Sequence, residues 1–472
     1  MVPADQGGGV MRADLLTETV DGLDEALAAV DSFDRALVVG LLRPHTVRDT
    51  GLAELAGAVA GTPLAAVAGE AADKAAAGAA SEDHLLALAA ARTALLGSVH
   101  DALAARVEEA TGRPRAEESV PAPVGRPAGN LLTAARSWLS DLARCGWQGI
   151  DHDVVAGAAP VVSAMLPDPL LRRLATLLDG FAAELAASCP GSALERVPVR
   201  RWADLWSRAM VLTVPGAADV PATGTATGRL LPLGVDVQEH ATAVQAQVHG
   251  VLEPADGAAP RLVRASVSVP KPDTVVGAGL WQLLRPHMSL LTAVSEGRST
   301  DLTDMPVTAE GDLIWDDARA RTGEPADALA TARVALSTAA SFATAPLDRH
   351  PSRIAVPVFL EGYGVHKDDE GLAFTVAGHR LAVDTDRIPT AGPLTAEAVA
   401  ASGACVGLLC WDAGAFTVQP LAVETTVRKK AVAVHAGAWA GGTTDKAGTK
   451  AEKAATDAAA VLRERAGRLL RK

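Results

Sequence analysis

The sequence predicts a multidomain protein, with an all-α N-terminal half followed by an α+β half with mainly antiparallel strands. Three observations carry that expectation. Apolar residues recur at three- and four-residue steps up to about residue 212, the period of a helix buried along one face. Beyond about residue 242 they alternate instead, the period of a half-buried strand. A Pro-rich stretch, 116–130, and a stretch rich in Gly, Thr and Pro, 215–228, interrupt the pattern.

The elements follow in order. Residues 1–11 are polar and Gly-rich and read as a disordered leader. A first helical domain covers 12–115. It opens on the stripe Leu16, Val20, Leu23, Leu27 and Val30, then continues with Ala-rich helices at about 52–76 and 82–110. Leu85, Leu88, Ala91, Leu95 and Val99 form the stripe of the latter. Residues 116–130 hold Pro121, Pro123 and Pro127 without periodicity and read as a linker. A second helical domain covers 131–212, where Asp168-Pro169 is a helix-start signal.

The α+β domain spans 213–443. In 242–249 and 262–269, Val and Ala alternate with Gln245, Gln247, His249, Arg264, Ser266 and Ser268. The loop 253–260 between these strands predicts an antiparallel pair whose polar residues share one face. Further strands are expected at 353–361, 372–384, 404–411, 415–424 and 430–436, with hairpin turns at 367–371 and 412–414. Helices are expected at 277–295, 325–343 and 394–402. Residues 444–472 form a basic C-terminal helix, with Ala455, Ala459, Leu462, Ala466 and Leu469 on one face.

Composition narrows the function classes. A chain of 472 residues buries a core without disulfide or metal staples. It has 98 Ala, 15 aromatic residues, and 9 Lys against 34 Arg, the skew of a GC-rich bacterial genome. The longest uncharged run, 55–69, falls short of the roughly 20 residues of a spanning helix. Cys145, Cys189, Cys405 and Cys410 form no CxxC pair, so a reduced, cytoplasmic protein is expected. The net charge of -13 argues against nucleic acid as a partner. Residues 428–472 nevertheless carry +7, leaving -20 on the rest. Such segregation marks an interaction tail.

No motif specifies an enzyme or implies a cofactor. The run 437–444 resembles a phosphate loop in its glycines, but Thr443 stands where the lysine belongs, so it reads as a flexible connection. The run 275–282 begins like a dinucleotide fingerprint, but Gln282 replaces its third glycine. Asp151-His152-Asp153 is read as a helix cap rather than a metal site. Trp315-Asp316-Asp317 reads as a turn, and Trp411 with Phe416 as a cross-strand pair.

The candidate interaction residues are Trp202 and Trp206, one helical turn apart and flanked by Arg200, Arg201 and Arg208, and the basic cluster Arg463, Arg465, Arg468, Arg471 and Lys472. The tryptophans are expected to anchor the helical half on the β half. The basic tail is expected to dock on an acidic protein surface, with no membrane involved. The function expected from sequence is therefore a non-enzymatic interaction or scaffold component. The alternative is an enzyme whose site lies between the two halves. A deep polar cleft with several titratable groups would favour the enzyme.

Overall fold

The computed structural model describes residues 11–42, 45–113, 129–217, 224–240, 243–341, 343–427 and 429–469. Among the described residues ten α-helices precede the first strand: α1 Ala13–Thr17, α2 Leu23–Val39, α3 Thr46–Ala58, α4 Ala65–Ala76, α5 Glu82–Thr111, α6 Asn130–Cys145, α7 His152–Ala156, α8 Ala158–Met165, α9 Arg172–Ala187 and α10 Val199–Leu212. The α+β half follows, as predicted. Most of linker 116–130, and 218–223 of the second break, lie outside the described residues.

Local chemistry sets several helix boundaries. The stripe from Leu16 to Val30 is divided between two helices. Gly22, at φ 76°, ends the connection from α1 and admits the chain to α2. Leu16 then packs with the second sheet and Val30 with the helical core. The expected helix 52–76 is likewise two helices, because Gly61-Thr62-Pro63 separates α3 from α4. Asp168 caps a turn rather than the helix itself, and α9 begins at Arg172. Asp151 does cap α7, accepting the Val154 N–H at 2.9 Å.

The first sheet contains β1 Gly224–Glu239, β2 Ala243–Pro254, β3 Arg261–Pro270, β4 Arg298–Val307, β5 Asp312–Leu313 and β6 Ala320–Pro325. Its order is β1-β2-β3-β5-β4-β6, and β1 also pairs with β4. Five strands therefore close on themselves into a small barrel. Helices α11 Leu280–Leu284 and α12 Leu290–Ser295 connect β3 to β4. They add Trp281, Leu284, Leu290 and Leu291 to the barrel core.

Helix α13 Ala328–Ala335 leads to the second sheet: β7 Ala355–Glu361, β8 Gly364–Asp368, β9 Gly371–Val376, β10 His379–Val383, β11 Ser402–Asp412, β12 Ala415–Val427 and β13 Lys430–His435. Helix α14 Ala396–Ala400 precedes β11, and α15 Lys446–Leu469 ends the described chain. The order is β7-β11-β12-β10-β9-β8, with β13 beside β12. Its pairings are antiparallel except β10–β12. Trp411 lies opposite Phe416 as expected.

Strand β1 is absent from the sequence-based prediction. Its Gly224 and Gly228 lie in the stretch 215–228 that reads as a boundary, but Gly228 and Gly234 serve close packing. A Cβ on Gly228 would meet the Glu253 carbonyl oxygen at 2.2 Å, and Pro232 sits where the β1–β2 register shifts. The run 437–444 is also packed rather than free. A Cβ on Gly437 would meet Val235 at 2.7 Å, and Ala440 is fully buried.

Helix α5 joins the halves. Thirty residues give it a length of about 45 Å. Leu85, Leu88 and Ala91 lie in the helical core, while Val99, Leu103 and Val107 pack under the second sheet. Among the described residues no helix is long and apolar enough to cross a membrane, and the four cysteines are unpaired.

Candidate functional site

A cleft of about 850 Å³ opens between the two halves. One wall comes from α5, α9 and α10; the other comes from His240, Gln245 and the segment 347–353 before β7. Two prolines shape that segment. Pro346 and Pro351 each open a single 3₁₀ turn, and the His350 side chain caps the second.

The walls are rich in arginine. Arg92 comes from α5, Arg172 and Arg173 from α9, and Arg201 and Arg208 from α10. Arg349 and Arg353 face them from the proline turns. Five carboxylates partner this set. Arg92 holds Asp34 through two hydrogen bonds, of 2.6 and 2.8 Å, and lies 2.7 Å from Asp204. Glu184 pairs with Arg201, Asp348 pairs with Arg208 and lies 3.6 Å from Arg173, and Asp101 lies 3.2 Å from Arg349. Among the described residues, seven guanidinium groups thus stand against five carboxylates.

The surplus is local. The Arg172 and Arg353 side chains make no hydrogen bond or close ion pair among the described residues. Loss of solvent and the charge of Arg208 lower the Arg353 pKa; Asp348 opposes this and Arg173 adds to it. Burial pushes Asp348 up, but Arg208, Arg173 and Arg353 outweigh it and hold its carboxyl below the usual range.

Trp202 and Trp206 do not line this cleft. Both are inside the helical core, at 1% and 0% exposure, rather than between the halves. Trp202 meets Trp147 edge-on at 5.9 Å, and Trp206 donates its Nε1–H to the Leu139 carbonyl at 2.9 Å. The reason is helix phase. Trp202 and Trp206 occupy the core face of α10, while Arg201, Asp204, Leu205 and Arg208 occupy the cleft side. Arg200 pairs with Asp31 instead.

The tail divides in two. Near its start Ala455 is buried, Gln282 donates to the Glu452 carbonyl at 2.9 Å, and Thr456 donates to Gln282 Oε1 at 2.8 Å. Farther on, Arg465 and Arg468 are exposed. The Arg463 side chain, and Arg471 and Lys472, lie outside the described residues, as do the side chains of Leu462, Ala466 and Leu469.

The polar strand face has the expected register. Gln245 lies opposite Ser268, Gln247 opposite Ser266, and His249 opposite Arg264. Gln247 donates to Ser266 Oγ at 2.9 Å. His249 is fully buried, and neither ring nitrogen has a hydrogen-bond partner among the described residues. Burial pushes its pKa down to about 4, with Asp236 opposing the shift and Arg264 adding to it.

An unfolded histidine titrates near 6.5. The unfolded chain therefore binds more protons between about pH 4 and 6.5, so stability falls as pH drops through that window. Urea unfolding at pH 7 and pH 4.5 should show a loss of about 2–3 kcal/mol from this residue. His249→Leu should flatten the pH dependence by that amount. An identical pH dependence in both proteins would assign the effect elsewhere.

Sequence reasoning missed Asp204, His350, Ser352 and Arg353. No period or spacing signals them, because the cleft draws on segments as far apart as residues 92 and 353. Among the described residues no group of His, Cys, Asp and Glu could hold a metal ion. Comparison with protein-family models, curated proteins and solved structures finds no match.

Proposed function

We propose that the cleft between the halves is a ligand site for a small molecule carrying at least two negative charges, as in the enzyme alternative. The observation that carries this reading is that Arg172 and Arg353, on facing walls already rich in guanidinium, make no hydrogen bond or close ion pair among the described residues. Arginine suits carboxylate and phosphate because its planar fork donates two parallel hydrogen bonds. The volume, about 850 Å³, lies within the range of small-molecule and cofactor sites. Apolar contacts from Leu96, Leu177, Phe181 and Leu205 provide room for a carbon framework.

Calorimetric titration with pyrophosphate and with citrate tests the reading. At least one should bind, and added salt should weaken it. Arg172→Ala with Arg353→Ala should weaken binding about 10- to 100-fold, as expected for losing charge-assisted hydrogen bonds. Neither anion binding at millimolar concentration would sink the proposal. The scaffold alternative, a basic tail docking on an acidic protein, rests on exposed Arg465 and Arg468. It gains ground if the double variant binds pyrophosphate as the wild type does.

A further inference from the structure

We infer that Ser352 is a nucleophile in this cleft, with His350 as its base and Asp204 as the anion facing that base, and that the protein hydrolyses acyl esters of anionic molecules. The inference rests on the anion-site reading for its substrate class. The nucleophile stands on separate geometry.

Ser352 Oγ lies 2.7 Å from His350 Nδ1, within reach for proton transfer. The Ser352 backbone N–H also donates to Nδ1, at 3.1 Å. A nitrogen that accepts carries no proton, so the neutral ring holds its proton on Nε2. That atom lies 3.4 Å from Asp204 Oδ1, facing the charge without a formed hydrogen bond. All three residues line the same cleft, and Ser352 is exposed. Relative to the serine-protease arrangement the two ring nitrogens trade places. The chemistry needs one nitrogen that accepts the hydroxyl proton and another that faces an anion.

Asp204 is suited to its part. Burial raises its pKa, but His350 and Arg92 outweigh that and hold the carboxyl below its usual range. Arg92 lies 2.7 Å from Asp204 Oδ1 and is itself held by Ser207 at 3.1 Å. The carboxylate is thus fixed on α10 while His350 approaches from the proline turn. Arg353 follows in sequence and lines the cleft, so a positive charge is at hand for a developing oxyanion.

The step balances without a further reagent. Ser352 Oγ bonds to the ester carbonyl carbon as its proton passes to His350 Nδ1. The bond to the alkoxy oxygen breaks, and that oxygen takes the proton from His350 and leaves as an alcohol. Water then attacks the acyl-serine, giving a proton to His350. The Oγ–acyl bond breaks, the acid leaves, and the proton returns to Ser352.

The test uses the full chain, diisopropyl fluorophosphate, and two esters: 4-nitrophenyl hemisuccinate, which carries a carboxylate, and neutral 4-nitrophenyl butyrate. Mass spectrometry should find one adduct, on Ser352, and the hemisuccinate should be hydrolysed faster. Ser352→Ala keeps the backbone N–H that His350 caps, so it should stay folded while losing adduct and hydrolysis. His350→Gln should lower both rates about 100-fold or more. No adduct on Ser352, or hydrolysis by Ser352→Ala at the wild-type rate, overturns the inference. Equal hydrolysis of both esters, lost in Ser352→Ala, upholds the nucleophile and removes the anionic substrate class together with the anion site.

Discussion

Arg92→Met is expected to destabilise the protein by about 3–5 kcal/mol, the usual cost of removing one partner of a buried ion pair. Arg92 is 1% exposed and Asp34 0%, so removing the guanidinium leaves a fully buried carboxylate without its charge partner. The carboxylate stays behind in the helical core with its two strongest hydrogen bonds broken. The pair also ties three helices together, since Asp34 is on α2, Arg92 on α5, and Ser207 and Asp204 on α10. Adding Asp34→Leu should recover part of the loss, because it removes the fully buried charge and leaves only the half-buried Asp204 without Arg92. Denaturant unfolding of the single and double variants measures both effects. A single variant within 1 kcal/mol of wild type would mean that the core relaxes or admits water at this pair.

Trp206→Ala should cost a comparable amount, about 3–5 kcal/mol, for a different reason. The indole is fully buried, lies 6.4 Å from the Phe33 ring, and satisfies the Leu139 carbonyl. Alanine leaves a cavity between α2, α6 and α10. Trp206→Phe keeps much of the volume and loses the hydrogen bond, so it should cost less, about 1–3 kcal/mol. Thermal or denaturant unfolding checks both. A Trp206→Ala protein that folds with near wild-type stability yet loses pyrophosphate binding would return Trp206 to the role of a recognition residue.

Legibility followed the range of the interactions. Helices α9 and α10, the β2–β3 pair and the hairpin at 412–414 were readable because their periods and turn residues lie within a dozen positions. Trp202 and Trp206 share one helical face, as their four-residue spacing dictates. Which way that face points depends on α2, α6 and the Trp147 turn, none of which α10 specifies. Strand β1 was hidden because its Gly228, Pro232 and Gly234 answer to Glu253, a register shift and Leu421, all distant in sequence.

The sequence by itself determined the order of the classes, helices first and mainly antiparallel strands after, because hydrophobic period is a local property of the chain. It also determined that the basic charge collects at the C-terminal end. Only the tertiary structure decided that α5 serves two cores and that the barrel closes through β1 and β4. It alone brought Asp204, His350, Ser352 and Arg353 to one cleft. Those outcomes depend on which surfaces meet after the elements form. A single chain read in order carries the period of each surface but not the identity of the one it buries against.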